Sequence, residues 1–312
     1  MPPIQPSIRG SLLSGVSAVA LSIASSGQAV AQHVPPTLTL WAEGTAFWTA
    51  GGRYNIPWLL GSSYTSLQPP VGFEGAVGLD YRRPNQIWHF VFDFRYGKSR
   101  TASSNAASFQ TFGTAIGYLL TSATSNQSTE HESHLVADFM IGRNLGVGAN
   151  TPELQFGIRI ADLHAAAQMV ESSQRTFYTP SFVTTTARSS LDNWSSRFFG
   201  VGPRVAIVGA IPIAGEWSFD YGAGIAALLG ARKFEGSSTT GFAVSNRATA
   251  FVFNANASLA LSYRVTSQFK ISSGIRGDFY NNALTTYDVG TGALQNINRF
   301  YWGPFLRLTG TF

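Results

Sequence analysis

The sequence predicts an all-β chain that closes into a transmembrane antiparallel up-and-down β-barrel of about ten strands, within a range of eight to twelve. Three observations predict it. Segments of about ten residues alternate apolar and polar side chains, as strands do when one face meets lipid and the other a polar lumen. The connections between these segments alternate short and long. The chain also ends inside its last alternating segment, on the aromatic Phe312.

The alternation is clearest in residues 87–98. Trp88, Phe90, Phe92, Phe94 and Tyr96 share one face, and His89, Val91, Asp93, Arg95 and Gly97 the other. Five aromatics on one face need an apolar partner, and lipid supplies it. Residues 38–49 set Leu40, Ala42, Gly44, Ala46 and Trp48 against Glu43 and Thr45. Residues 71–81 set Phe73, Val77, Leu79 and Tyr81 against Glu74 and Asp80. Residues 133–143 set Leu135, Ala137, Phe139 and Ile141 against His134 and Asp138.

The remaining segments repeat the scheme. Residues 153–163 carry Leu154, Phe156, Ile158 and Ile160 against Gln155, Gly157 and Arg159. Residues 197–208 carry Phe199, Val201, Val205 and Ile207 against Gly202, Arg204 and Ala206. Residues 217–232 carry Trp217, Phe219, Tyr221, Ile225 and Leu229 against Asp220, Gly222, Gly224 and Arg232. In residues 250–264, Phe251, Phe253, Leu259, Leu261 and Tyr263 oppose Asn254, Asn256, Ser258 and Ser262. In residues 268–280, Phe269, Ile271, Ile275 and Phe279 oppose Lys270, Ser272, Arg276 and Asp278. Residues 299–312 set Phe300, Trp302, Leu306, Leu308 and Phe312 against Arg299, Arg307, Thr309 and Thr311.

Ten segments make an even number, as single-chain bacterial barrels require. Long loops are expected at 50–70, 99–131, 165–195, 233–249 and 281–297, and short turns at 82–85, 144–152, 209–216 and 264–267. Short turns belong to the periplasmic side and long loops to the outside. Residues 109–120, inside the second long loop, are expected to fold inward or to form extra structure.

Composition agrees. Charged residues are 12% of the 312, against roughly 25% in soluble domains. Aromatics are 13%, with 23 Phe, beside 32 Gly and no Cys. The net charge of +5 is scattered, so no basic run points to nucleic acid. The N-terminus has the form of a signal peptide, residues 1–31: Arg9, an apolar run over 12–24, and the small-x-small site Ala29-Val30-Ala31. That run is shorter than the ~20 residues a spanning helix needs. The expected mature domain is 32–312, located in the bacterial outer membrane after cleavage near Ala31.

On parity alone, the lumen is lined by Glu43, Glu74, Asp80, His89, Asp93, Arg95, Asp138, Arg159, Arg204, Asp220, Arg232, Lys270, Arg276, Asp278, Arg299 and Arg307. Both signs are present. A wide pore would segregate them into opposing arcs, whereas a narrow barrel would pair them. Eight strands give an interior that side chains fill, and about sixteen leave an aqueous channel. Ten strands lie near the filled end. The expected function is a narrow passive channel for small hydrophilic solutes or ions, with Arg95, Arg204, Arg276 and Arg307 opposed by Glu74, Asp93 and Asp278. The alternative is a structural or surface-interaction barrel acting through its outer loops.

Catalysis is not expected. His131 and His134 lie beside Glu130 and Glu132, but a polar loop–strand junction accounts for them. His164 with Ser189 or Ser190 is too loose a pairing for an outer-membrane hydrolase. No metal or cofactor is expected. The expected partners are outer-membrane lipid, lipopolysaccharide and the barrel-insertion machinery, with oligomerisation left open.

Several blocks carry a family resemblance: residues 40–50 (LWAEGTAFWTA), 73–81 (FEGAVGLDY), 156–163 (FGIRIADL), 196–207 (SRFFGVGPRVAI) and 219–234 (FDYGAGIAALLGARKF). In these blocks the chain resembles the Legionella major outer-membrane protein family, with Gly-Val-Gly-Pro-Arg the most specific. The resemblance implies a pore-forming or porin-like role, while the terminal aromatic strand, ending on Phe312, looks like the signature that the barrel-insertion machinery reads. The resemblance brings no catalytic residues.

Overall fold

The computed structural model describes residues 37–52, 54–55, 66–67, 71–84, 86–113, 119–145, 152–241, 243–288 and 293–312. The expected signal peptide lies outside these residues. All regular structure among them is strand: β1 (Thr37–Gly51), β2 (Tyr54–Asn55), β3 (Ser66–Leu67), β4 (Gly72–Arg82), β5 (Trp88–Ser99), β6 (Ala102–Gly113), β7 (Leu119–Asn144), β8 (Glu153–Tyr178), β9 (Val183–Ala214), β10 (Trp217–Ser238), β11 (Ala243–Arg264), β12 (Phe269–Asp288) and β13 (Ala293–Thr311).

Eleven of these strands form one antiparallel sheet that closes on itself, while β2 and β3 pair separately. The ring has ten positions, because β5 and β6 share one. β5 pairs with the lower half of β7, Lys98 opposite Ser133, and β6 with its upper half, Ala102 opposite Glu130. The seam joins β1 to β13. There Leu38 and Phe312 exchange backbone hydrogen bonds of 2.9 and 2.8 Å. This is a transmembrane-type up-and-down barrel, and closure leaves its core no free sheet edge.

The start of β1, the end of β13 and the described short turns share one end. Between β9 and β10 the turn is only Gly215-Glu216, with Gly215 at φ +54°, a conformation glycine adopts without Cβ strain. The turn expected at 209–216 is therefore mostly strand.

The opposite end differs more from expectation. Four of the expected long loops, 99–131, 165–195, 233–249 and 281–297, are largely strand. They build β6 with the upper half of β7, the β8–β9 hairpin, the β10–β11 hairpin and the top of β12–β13. The physical reason is solvent. Above the lipid neither face of a strand has to be apolar, so the backbone ladder continues while the period-2 hydrophobic signal stops. Apart from Ala123 and Arg175, residues 121–129 and 172–176 are all Ser, Thr, Asn or Gln, on both faces. At ~3.4 Å per residue and ~40° tilt, strands of 26, 26 and 32 residues (β7, β8, β9) stand well above an apolar band ~25 Å tall.

The outer face carries that band. Phe73, Phe139, Ile158, Phe199, Val201, Ile225, Leu229, Leu259 and Ile275 are all exposed. Aromatic pairs mark its edges: Trp217–Tyr263 (centroids 4.9 Å) and Phe269–Phe312 (6.1 Å) near the termini, and Trp48–Trp302 (5.1 Å) at the other rim. Ile225, 53% exposed, lies midway between the rims. Ile225→Arg is expected to destabilise the barrel by about 2–4 kcal/mol, seen as a lower temperature for loss of the fast-migrating folded band on gels. An unchanged temperature would place this face in water.

Candidate functional site: the closed lumen

Inward-facing side chains form layers. Nearest the termini, Asp80, Arg82, His89 and Glu153 form a knot. His89 Nδ1 is 2.6 Å from Asp80 and its Nε2 3.1 Å from Glu153. Arg82 reaches both carboxylates at 2.7 Å. The ligand atoms of Asp80, His89 and Glu153 lie within 4.8 Å of one another, but Arg82 and His89 already engage both carboxylates, which makes the group an ion-paired cluster. Across the lumen, Asp220 takes Lys270 at 2.6 Å and a hydrogen bond from the Ser262 hydroxyl at 2.7 Å.

The next layer is a continuous ionic network. Arg95 donates to Asp278 at 2.7 Å and lies 3.8 Å from Asp93. Arg159 grips Asp138 with two hydrogen bonds of 2.7 Å and also donates to Asn254. Arg204 lies 3.5 Å from Asp138 and donates to Asn256 at 2.7 Å. Arg276 bridges Glu43 (2.6 Å) and Glu74 (3.3 Å), and Arg307 reaches Glu43 at 2.7 Å. His134 Nε2 lies 2.7 Å from Glu74. A Cβ at Gly97 would collide with the His134 ring, so glycine there makes room for this contact. The Arg and Asp/Glu residues assigned inward by parity thus meet each other in pairs rather than in opposing arcs. Arg299 sits higher, 2.8 Å from Glu132, and Arg232 donates to the Asn282 carbonyl at 2.7 Å.

Directly above the network lies an apolar layer that parity did not anticipate. Phe47, Val136, Leu163, Phe198, Leu228, Val252, Tyr280, Leu284, Ile297 and Tyr301 form one buried cluster. Phe47 packs edge-on against His134 (5.0 Å) and Tyr301 (5.8 Å). The signal was available: Leu163, Phe198, Leu228 and Val252 are apolar residues at inward positions of neighbouring strands, and all fall at one height.

The layer is completed by a strand top that leaves the wall. Pairing of β11 with β12 stops at Asn254 opposite Tyr280. There β12 bulges, with Asn282 at φ +53°, a region Asn tolerates better than most side chains. Beyond the bulge Ala283, Leu284, Thr285 and Thr286 are buried. The Thr285 amide donates to Ser196 Oγ on β9 at 2.8 Å, and Tyr287 stacks on Trp194 at 5.9 Å. The β12–β13 top therefore leans over the lumen onto β9. Below the seal, a cavity of about 450 Å³ runs from the ionic layer to Arg82, Glu153, Lys270 and Thr309.

The candidate catalytic groups are dispersed. His131 lies on the outer face, 6.4 Å from His164, whereas Glu130 and Glu132 are buried on the inner one. Ser189 and Ser190 pair with Ser172 and Glu171, while His164 pairs with Arg197. Phe312 is exposed on the barrel's outside at the seam.

No protein-family model matches the chain, and no curated protein does. Among solved structures it is similar to the outer membrane protease OmpT from Escherichia coli, at 10% identity and TM-score 0.44, covering 92% of this chain and 100% of that one. It is also similar to Neisserial surface protein A (7%, TM-score 0.26, 86% and 95%) and to Ail, the attachment invasion locus protein of Yersinia pestis (10%, TM-score 0.26, 89% and 99%). Similarities this low transfer no function. The chain's own ring closure, apolar outer band and ion-paired lumen define its class: an integral β-barrel of the outer-membrane type.

Proposed function

We propose that this barrel, exported to the bacterial outer membrane, acts at the cell surface through the strand crown above the lipid, with its lumen closed to solutes. The observation that carries this reading is the apolar layer. Phe198, Leu163, Leu228, Val252 and Leu284 are each 0% exposed, and an interior packed that way admits neither water nor hydrated ions. The crown also offers a binding surface. Phe109, Phe112, Phe182 and Val183 are 70%, 53%, 57% and 60% exposed near its tip, far above the band, where water makes bare aromatics costly unless a partner covers them. Phe312 fits a role as the signal for barrel insertion, and no hydrolytic role is assigned.

In a planar bilayer the refolded protein is expected to stay silent. Regular, salt-dependent current steps would overturn the closed-lumen reading. Trimming the crown to the level of the lipid is expected to abolish attachment of displaying cells to protein-coated surfaces while the barrel still migrates as a folded band. Undiminished attachment would remove the crown from the function.

The second reading is a narrow channel that opens when the β12–β13 top moves. The 450 Å³ cavity beneath the seal supports it, as does the resemblance to the Legionella major outer-membrane protein family, which implies porin-like transport.

A further inference from the structure

Strand register assembles a feature that no single segment displays. Lys98 on β5 pairs with Ser133 on β7, Ser133 with His164 on β8, His164 with Arg197 on β9, Arg197 with Lys233 on β10, and Lys233 with Arg247 on β11. One row along the hydrogen-bonding direction thus crosses six neighbouring strands, roughly 24 Å at ~4.8 Å per strand, and with the strands tilted ~40° it rises by roughly 15 Å from Lys98 to Arg247. Lys98, Arg197, Lys233 and Arg247 are exposed on the outer face. Arg100 stands beside the row, 5.5 Å over the Phe73 ring, and His131 lies next to His164.

Two carboxylates temper the row: Asp162 pairs with Arg197 at 2.5 Å and Glu235 with Lys233 at 2.7 Å. Five Lys and Arg against these two leave a clear positive excess. Two residues nearer the termini, the same outward face becomes Tyr96, Leu135, Asp162, Phe199, Ala231 and Thr249, so apolar side chains of the band underlie the row on four of its six strands. Among the described residues, the outer faces of β1, β4, β12 and β13 carry no Lys or Arg. The positive rim therefore belongs to one side of the barrel.

We propose that this row is a binding site for a phosphorylated lipid headgroup of the outer leaflet. A soluble anion would use only the cations. A lipid uses both halves of the surface: acyl chains lie against the aromatic and aliphatic face, and phosphates meet the Lys and Arg directly above it. Single exposed contacts contribute little, so the site works by spreading several cations over one headgroup. The proposal rests on the reading of the barrel as membrane-spanning.

The test uses the full mature barrel in detergent, titrated with bisphosphorylated lipid A in mixed micelles and followed by native mass spectrometry. The variant K98Q/R197Q/K233Q/R247Q is expected to bind at least about tenfold more weakly. The milder K98Q/R247Q, which breaks none of the described ion pairs, is expected to show an intermediate loss. R143Q/R264Q, at the opposite end of the band, serves as the control that matches the double variant in charge. Equal binding by wild type and both row variants overturns the site, as does equal binding of dephosphorylated lipid A. Competition by millimolar inorganic phosphate overturns the assignment to a lipid. A wild-type chain that gives no folded band in detergent refutes the barrel reading itself, whereas a folded band without phosphate-dependent binding refutes only the headgroup site.

Discussion

Asp278→Ala is expected to destabilise the barrel by about 3–5 kcal/mol. Asp278 lies between two guanidinium groups, 2.7 Å from Arg95 and 3.7 Å from Arg159. The three residues are 5%, 3% and 0% exposed. Removing the carboxylate leaves positive charge in a buried, crowded layer, and that uncompensated charge is the source of the penalty. Replacing the pair together, as Arg95→Met with Asp278→Leu, is expected to recover part of the loss, because Arg95 no longer lacks its carboxylate, while Asp93, 3.8 Å from Arg95, and Arg159, 3.7 Å from Asp278, each lose a partner. The measurement is the temperature at which the folded band disappears, compared across wild type, both single variants and the double. A single-variant cost below about 1 kcal/mol would mean that water reaches this level and screens Arg95 as at a surface. The experiment therefore tests whether the lumen is closed as well as how stable the barrel is.

Deleting residues 283–297 and bridging the gap with a two-residue turn is expected to turn a silent barrel into a conducting one. The geometry permits the deletion. Asn282 and Asn298 already adjoin, with the Asn282 amide donating to Asn298 Oδ1 at 2.8 Å. The excision removes Ala283, Leu284 and Ile297 from the apolar layer and the Thr285–Ser196 contact that holds the β12–β13 top against β9. Steps in the current should be small, because the Arg–Asp/Glu network still occupies the level beneath. Arg204→Ala with Arg276→Ala in that deleted background is expected to move the reversal potential in an asymmetric salt gradient toward cation preference. A deletion variant that stays silent would assign the seal to the ionic layer instead.

The limits of sequence reading fall along a physical boundary. Within lipid, Trp88, Phe90, Phe92, Phe94 and Tyr96 declare their strand because one face must be apolar and the other need not be. Above lipid that asymmetry ends. Residues such as Ser122, Thr124, Ser172 and Thr185 continue the ladder in the structure, yet in sequence they resemble loop. Leu228 and Val252 mark a different omission. Each sits at an inward position among outward-facing Leu229, Phe251 and Phe253, and their meaning emerges only when several strands are aligned at one height.

The sequence by itself determined the β-class, the strands within the lipid band and their inside–outside parity, because lipid imposes a period of two on each strand independently of its neighbours. Only the tertiary structure decided which Arg meets which carboxylate, that the β12–β13 top packs onto β9, and that Lys98, Arg197, Lys233 and Arg247 stand in one row. Those outcomes depend on register between strands and on contacts such as Ser196 with Thr285, 89 residues apart, and no local pattern encodes them.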